Sequence, residues 1–332
     1  MLQLLRKIAF PISLVYAFVV YVRNFLFDIG VFSSKSYKTT TICVGNLSVG
    51  GTGKTPMTEH LLRILENRKT AVLSRGYKRK SEGFYLADAQ STVLELGDEP
   101  YQIHQKFPKV TVAVDADRCN GIEKLQDLVD PDVIVLDDAF QHRRVKPNFS
   151  LLLTTYHNLY INDWYLPTGN LRDAKKEAHR ANLIVVTKCP VGISEEEKKV
   201  ITSKLKPKKH QKVLFATLTY HDLISDGGEE KIPLAQLNDK QVALVTGIAS
   251  PAPLVRHLRA EGIHFKHFRF GDHHHFSDKE IELFKDYELI LTTEKDFVRL
   301  KGRVEKLYFL EIAHSFSKED ETVLKNAIEA LF

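Results

Sequence analysis

From Thr40 onward, short β-branched runs alternate with stretches of helical periodicity. That alternation marks an α/β protein with a mostly parallel sheet, whose buried strands read as continuous apolar runs. Thr41–Val44, Ala71–Ser74, Val110–Val114, Val133–Leu136, Ser150–Thr154 and Leu183–Thr187 are the predicted strands of a first unit. Pro56–Asn67 reads as a helix, with Leu61, Leu62 and Leu65 on one face. Between Thr217 and Leu237 the regularity lapses into a polar segment containing Asp226-Gly-Gly-Glu, the expected hinge. A second, smaller α/β unit follows: strand Val242–Val245, helix Pro251–Ala260, strand His264–Phe270, helix Asp278–Lys285 and strand Leu289–Leu291. The expected division is therefore 1–30, 31–218, a linker at 219–240, and 241–332.

The first thirty residues follow another pattern. Fifteen uncharged residues lie between Lys7 and Arg23. As a helix they would reach about 22 Å, short of a hydrocarbon core roughly 30 Å thick, and Pro11 would disturb the first turns. A signal peptide lacks its small-residue cleavage site here. The reading adopted is an N-terminal membrane-interface helix, with Arg6, Lys7 and Arg23 at headgroup level. The alternative is a helix docked on the protein's own core.

Composition changes this picture little. With 332 residues, 43% hydrophobic and 27% charged, the chain is ordinary globular material for two domains. A net charge of +5 favours anionic partners but is too small to argue for nucleic acid. Cys43, Cys119 and Cys189 are few and dispersed, which fits a reducing compartment and no disulfide framework.

The chemistry begins after the first strand, in Val44-Gly-Asn-Leu-Ser-Val-Gly-Gly-Thr-Gly-Lys-Thr-Pro56. A phosphate loop needs glycines so that backbone N–H groups converge on phosphate oxygens, a lysine to bridge the β- and γ-phosphates, and a hydroxyl for magnesium. Ser48, Val49, Gly50, Gly51, Thr52, Gly53, Lys54 and Thr55 form that loop, with Lys54 supplying the charge and Thr55 the metal ligand. Ser48 stands where the usual pattern has glycine. The second half of such a site is an acid ending an apolar strand. Val133-Ile-Val-Leu-Asp-Asp138 supplies two, Asp138 being preferred over Asp137 for the metal.

Guanine readers need an aspartate after Asn/Thr-Lys-x, where this chain has Thr187-Lys-Cys-Pro190, so ATP is the expected nucleotide. Partition-type ATPases carry a second lysine before the glycine pair, and Val49 occupies that place. A membrane-bound nucleotide sensor stays open at this point. Leu96-Gly-Asp-Glu-Pro100 offers acids that could deprotonate an acceptor hydroxyl, or simply form a turn. Phe270-Gly-Asp-His-His-His-Phe276 suggests zinc at first sight, but adjacent extended side chains point to alternate faces. One histidine partnering a carboxylate across a cleft is the sharper expectation.

These segments, with Leu73-Ser-Arg-Gly-Tyr-Lys-Arg79, Leu136-Asp-Asp-Ala-Phe-Gln-His142, Leu166-Pro-Thr-Gly-Asn-Leu-Arg-Asp173 and Thr293-Glu-Lys-Asp296, occur in an order that resembles the tetraacyldisaccharide 4′-kinase family, the lipid A kinases of Gram-negative bacteria. The resemblance implies a P-loop kinase using ATP and Mg2+ at the cytoplasmic face of the inner membrane. Its acceptor would be an acylated glucosamine disaccharide 1-phosphate, with no nucleic acid and no obligate protein partner. By the same resemblance Asp98 matches the acid that activates the 4′-hydroxyl and His273 its partner. Glu99 and Asp138 match acids near magnesium. Arg75, Tyr77, Gln141 and Arg172 match substrate or phosphate contacts. Asp173, a methylene shorter than the glutamate the family usually has there, matches a metal or substrate contact.

Overall fold

The computed structural model describes Arg6 and residues 8–228 and 230–332. Lys7, counted above among the headgroup cations, and Glu229 of the expected hinge lie outside them. The chain order is α1 (Phe10–Asp28), β1 (Thr40–Asn46), α2 (Lys54–Ile64), β2 (Thr70–Ser74), β3 (Tyr85–Leu86), α3 (Val93–Leu96), α4 (Asp98–Lys106), β4 (Thr111–Val114), α5 (Arg118–Leu128), β5 (Val133–Asp137), β6 (Phe149–Thr155), β7 (Leu183–Cys189) and α6 (Glu195–Leu205). Then come β8 (Lys212–Ser225), β9 (Lys231–Pro233), β10 (Val242–Thr246), α7 (Ala252–Ala260), β11 (Phe265–Arg269), α8 (Asp278–Ile281), β12 (Leu289–Thr293), α9 (Glu294–Leu300), β13 (Leu307–Phe316) and α10 (Lys318–Glu329).

All strands of the described residues belong to one sheet, ordered β11-β10-β12-β13-β8-β7-β6-β1-β5-β2-β4-β3, with β9 on β8. Most neighbours are parallel, as buried apolar runs such as Ile42–Val44 and Val133–Leu136 require. Each half of the sheet carries apolar clusters. Leu61, Leu62, Ile103 and Leu324 pack in one belonging to the first unit, and Phe276, Phe284 and Phe297 in one of the second.

Much of the segment read as an irregular polar hinge is strand on either side of Asp226-Gly-Gly. β8 runs to Ser225 and pairs antiparallel with β13 over Phe309–Phe316, and β9 folds back on it. Much of β8 is only half-buried, so backbone pairing rather than an apolar run defines it, and the residue pattern conceals it.

Pro11 sits in the first turn of α1, where its missing N–H breaks no helical bond, so the helix runs longer than expected. Its 19 residues span about 28 Å. Polar residues face the protein: Ser13 Oγ donates to Thr168 Oγ1 at 2.8 Å, Tyr16 Oη to Arg172 O at 3.1 Å, and Asn24 Nδ2 to Asp173 Oδ1 at 2.8 Å. Arg6 and Arg23 do not stand free for headgroups. Arg6 donates to Pro167 O, Gly169 O and Asn170 Oδ1, and Arg23 pairs with Asp173 at 3.0 Å. The apolar residues point outward, with Ile12, Val15, Phe18 and Val19 at 61, 65, 66 and 59% exposure, beside Trp164 at 60%.

Candidate active site

β1 delivers the chain into the glycine loop at its C-terminal end, and α2 leaves from Lys54. Its first N–H groups have no helical partners and carry the positive end of the helix dipole. Gly50 and Gly53 have φ of 117° and 86°, a region that favours glycine. A Cβ on Gly53 would also lie 2.7 Å from His314 Nε2. That nitrogen hydrogen-bonds Gly53 O at 2.9 Å, and burial pushes the imidazole down to about 4, so it is a neutral donor. The other wall is the 164–173 loop. Val49 N–H donates to Asn170 O at 2.7 Å and Arg172 N–H to Leu47 O at 2.9 Å. Asn46 Nδ2 and Thr187 Oγ1 hold Thr52 from below, at 2.9 and 2.8 Å.

The acids at the end of β5 diverge in environment. Asp138 has φ of 47°, which turns its carboxylate toward the loop. There Lys54 Nζ stands 3.7 Å away and Arg172 grips both oxygens, its Nη1 at 3.1 Å from Oδ2. Burial acts to raise the Asp138 carboxyl, but Lys54 and Arg172 outweigh it and hold it below the usual range. Asp137 is buried near the hydroxyls of Thr58 and Ser74. Burial, then the Asp138 charge, lifts it to about 6, with Glu99 adding to the effect. Asp137 and Asp138 thus stand together at the end of β5, with the Glu99 charge within reach. Carboxylates of this kind are hard oxygen donors, the chemistry a magnesium ion takes. Among the described residues, Ser48 Oγ and Arg172 Nε are buried without partners, as groups that receive a phosphate would be. Gln141 Nε2 donates to Asn46 O and shapes the same floor.

Across the cleft, Asp98 begins α4, directly after Gly97. His273 Nδ1 lies 2.7 Å from its Oδ2, and Arg299 Nε donates to Oδ1 at 2.8 Å while Nη2 contacts Oδ2. Burial acts to raise the Asp98 carboxyl, but the bonds from His273 and Arg299 prevail and bring it down to about 2. Lys295 Nζ donates to His273 Nε2 at 2.9 Å and reaches Glu99 at 3.2 Å. Since an ammonium only donates, Nε2 accepts from Lys295, while Nδ1 faces the Asp98 carboxylate and lies 3.0 Å from Arg299 Nη2. Tyr77, exposed, meets the edge of His273 at 5.5 Å between ring centres.

Most of the expected residues therefore converge: Lys54, Asp137, Asp138, Gln141 and Arg172 on one side, Asp98, Glu99, Tyr77 and His273 on the other. Arg75 is exposed, and its charge reaches Arg118 and His142. Asp173 is 0% exposed and spent on Arg23, Asn24 and the Ala174 N–H, anchoring α1. The three histidines diverge: His273 to Asp98, His274 to Glu280 at 3.0 Å, and His275 to solvent. Arg299, Lys295, Asn46 and His314 were not expected. Lys295 and Arg299 had a signal, since they stand four apart in a helix whose Thr293 cap is plain in the sequence.

A glycine loop opening a helix, answered by acids on the neighbouring parallel strand and a dyad across the cleft, defines a P-loop phosphotransferase. The family model described as Tetraacyldisaccharide-1-P 4′-kinase matches residues 5–331. The Tetraacyldisaccharide 4′-kinase of Flavobacterium johnsoniae is 50% identical over 322 residues, covering 95% of this chain and 94% of the relative. That of Bacteroides thetaiotaomicron is 46% identical, covering 89% and 83%. The crystal structure of LpxK from Aquifex aeolicus in complex with ATP superimposes with a TM-score of 0.84 at 31% identity, covering 99% of both chains. The chain belongs to the tetraacyldisaccharide 4′-kinase family and is an ATP-binding kinase of lipid A biosynthesis.

Proposed function

We propose that the protein transfers the γ-phosphoryl group of ATP to the 4′-hydroxyl of a tetraacylated glucosamine disaccharide 1-phosphate, working at the cytoplasmic face of the inner membrane. The observation that carries this reading is the ionised Asp98 held between His273 and Arg299, beside the acids of the phosphate loop. Loop amides, Lys54 and Arg172 bind the phosphates and hold the transferred group against spreading charge. Thr55, Asp138, Glu99 and Asp137 would hold Mg2+, which when bound neutralises phosphate charge. Asp98 accepts a hydrogen bond from the acceptor hydroxyl and orients its lone pair in line. A weakly basic carboxylate suffices because a loose phosphoryl transition state draws the proton off late. His273, with its Nδ1 facing Asp98, stabilises the carboxylate, while Arg75 and Tyr77 contact the substrate headgroup.

The outward face of α1 supports membrane attachment. Its apolar stripe and Trp164 form a continuous unsatisfied surface, while its polar side is fully engaged with the protein. The helix therefore lies along the interface as a monotopic element, docked rather than free to cross. That brings the cleft to the depth of a sugar whose acyl chains stay in the bilayer.

Labelled phosphate from γ-labelled ATP should appear in the glycolipid, in mixed micelles with purified protein. Hydrolysis to free phosphate, unaffected by lipid, would overturn the kinase reading. Asp98→Ala should lower kcat by roughly 10²- to 10⁴-fold with little change in ATP affinity. An equal loss of ATP affinity would move Asp98 into the metal shell.

A further inference from the structure

Away from the phosphates, one ammonium gathers three carboxylates from three different elements. Lys106 Nζ, at the last residue of α4, lies 2.7 Å from Glu59 of α2, 2.7 Å from Glu294 of α9 and 2.8 Å from Glu311 of β13. The cluster is shut in: Glu59 and Glu294 are buried, and the side chains of Lys106 and Glu311 are 19 and 18% exposed. Around it stand Gln102, donating to Glu59 Oε1 at 2.8 Å, Arg63 at 3.6 Å from Glu59, and His221, whose charge reaches Glu311. Burial and the neighbouring Glu59 push Glu294 well above the usual carboxylate range, against the pull of Lys106.

The placement matters more than the charge count. Helices α4 and α9 run side by side in opposite directions, because each end of the pair is pinned. At one end Asp98, the first residue of α4, binds Arg299 near the end of α9. At the other, Lys106, the last residue of α4, binds Glu294, the first of α9. The acceptor-activating group thus sits on one helix, and Lys295 and Arg299 sit on the other. The same ammonium also ties both helices to α2, barely one turn beyond Lys54 and Thr55. We propose that Lys106 is a positioning residue for phosphoryl transfer, setting the spacing between the Asp98–His273–Arg299 group and the phosphate-loop helix. It touches no reacting atom. A displacement of about 1 Å at the reacting centre can lower a rate roughly 10²-fold.

This inference rests on the kinase reading above, so Asp98→Ala is assayed alongside as its control. In lipid kinase assays with saturating ATP and lipid micelles, Lys106→Met keeps the aliphatic stem and removes the ammonium. Its kcat should fall roughly 10- to 100-fold with the KM for ATP within about twofold. Lys106→Arg should retain most of the activity. Glu294→Gln, a milder change that leaves Glu59 and Glu311 on the ammonium, should cost several-fold in kcat and serves if Lys106→Met does not fold. Near-wild-type kcat in Lys106→Met or Glu294→Gln would overturn the proposal, as would failure of Lys106→Arg to restore activity. A loss of ATP affinity matching the loss of kcat would do the same, because it would confine the effect to α2. If Asp98→Ala also left kcat unchanged, the kinase reading itself would have failed.

Discussion

Arg299 carries the sharpest prediction, because its side chain is almost wholly enclosed and two of its nitrogens are committed to one carboxylate. Arg299→Met preserves the stem while removing the Nε–Oδ1 bond of 2.8 Å, the contact of Nη2 with Oδ2, and the bond from Nη1 to His274 O. A carboxyl held at about 2 instead of 3.8 contributes roughly 2 kcal/mol to folding at neutral pH. His273 shares that stabilisation, so the guanidinium's part is about 1–2 kcal/mol. The sign follows from the depressed folded value. The contribution is complete above about pH 4 and fades as pH falls through 2. Urea unfolding followed by circular dichroism in detergent, at pH 7, 5 and 3, should therefore show a destabilised variant whose deficit narrows only at the lowest pH. With Asp98 free to rotate, kcat should fall at least tenfold while ATP affinity holds. A deficit constant across pH, or a variant as stable and active as wild type, would refute the assignment of Arg299 as the partner that fixes Asp98.

Two further outcomes test the amphipathic assignment of α1. Val15→Gln with Phe18→Gln should lower partitioning onto anionic vesicles in a sedimentation assay by about tenfold or more. Each exposed apolar side chain buried in the interface is worth about 1.5–3 kcal/mol. Soluble ATP binding should be untouched. Asn24→Leu should do the reverse: vesicle binding is kept, but stability falls by about 1–3 kcal/mol, read as a lower urea midpoint, because the buried Asp173 loses a donor.

What could be read in the residues divides along a physical line. Strands buried on both faces, such as Val133–Asp137 and Val242–Thr246, announce themselves as unbroken apolar runs. β13 does not. Glu311 leaves the run to meet Lys106 and His314 to meet Gly53, so its functional contacts erase the pattern that would reveal it. The phosphate loop and Asp138 are local in sequence and were legible from chemistry alone. The Asp98–His273 pair joins residues 175 positions apart, and only the family resemblance brought them together. Arg299 lacks a motif of its own and becomes visible only when helical spacing is applied to Thr293-Glu-Lys-Asp. For α1 the apolar run was conspicuous, but it concealed the side that docks. Ser13, Tyr16 and Asn24 are few and neutral, and their importance lies in partners 149 to 156 positions away.

The place of β13 has a consequence for how the molecule is made. This strand enters between β8 and β12, closing the sheet, and its His314 abuts the glycine loop near residue 53. During translation the apolar helix leaves the ribosome long before that strand does. A nascent chain would thus expose α1 while its nucleotide cradle is still open on one side. The wall that His314 gives the glycine loop is among the last parts of the site to be synthesised.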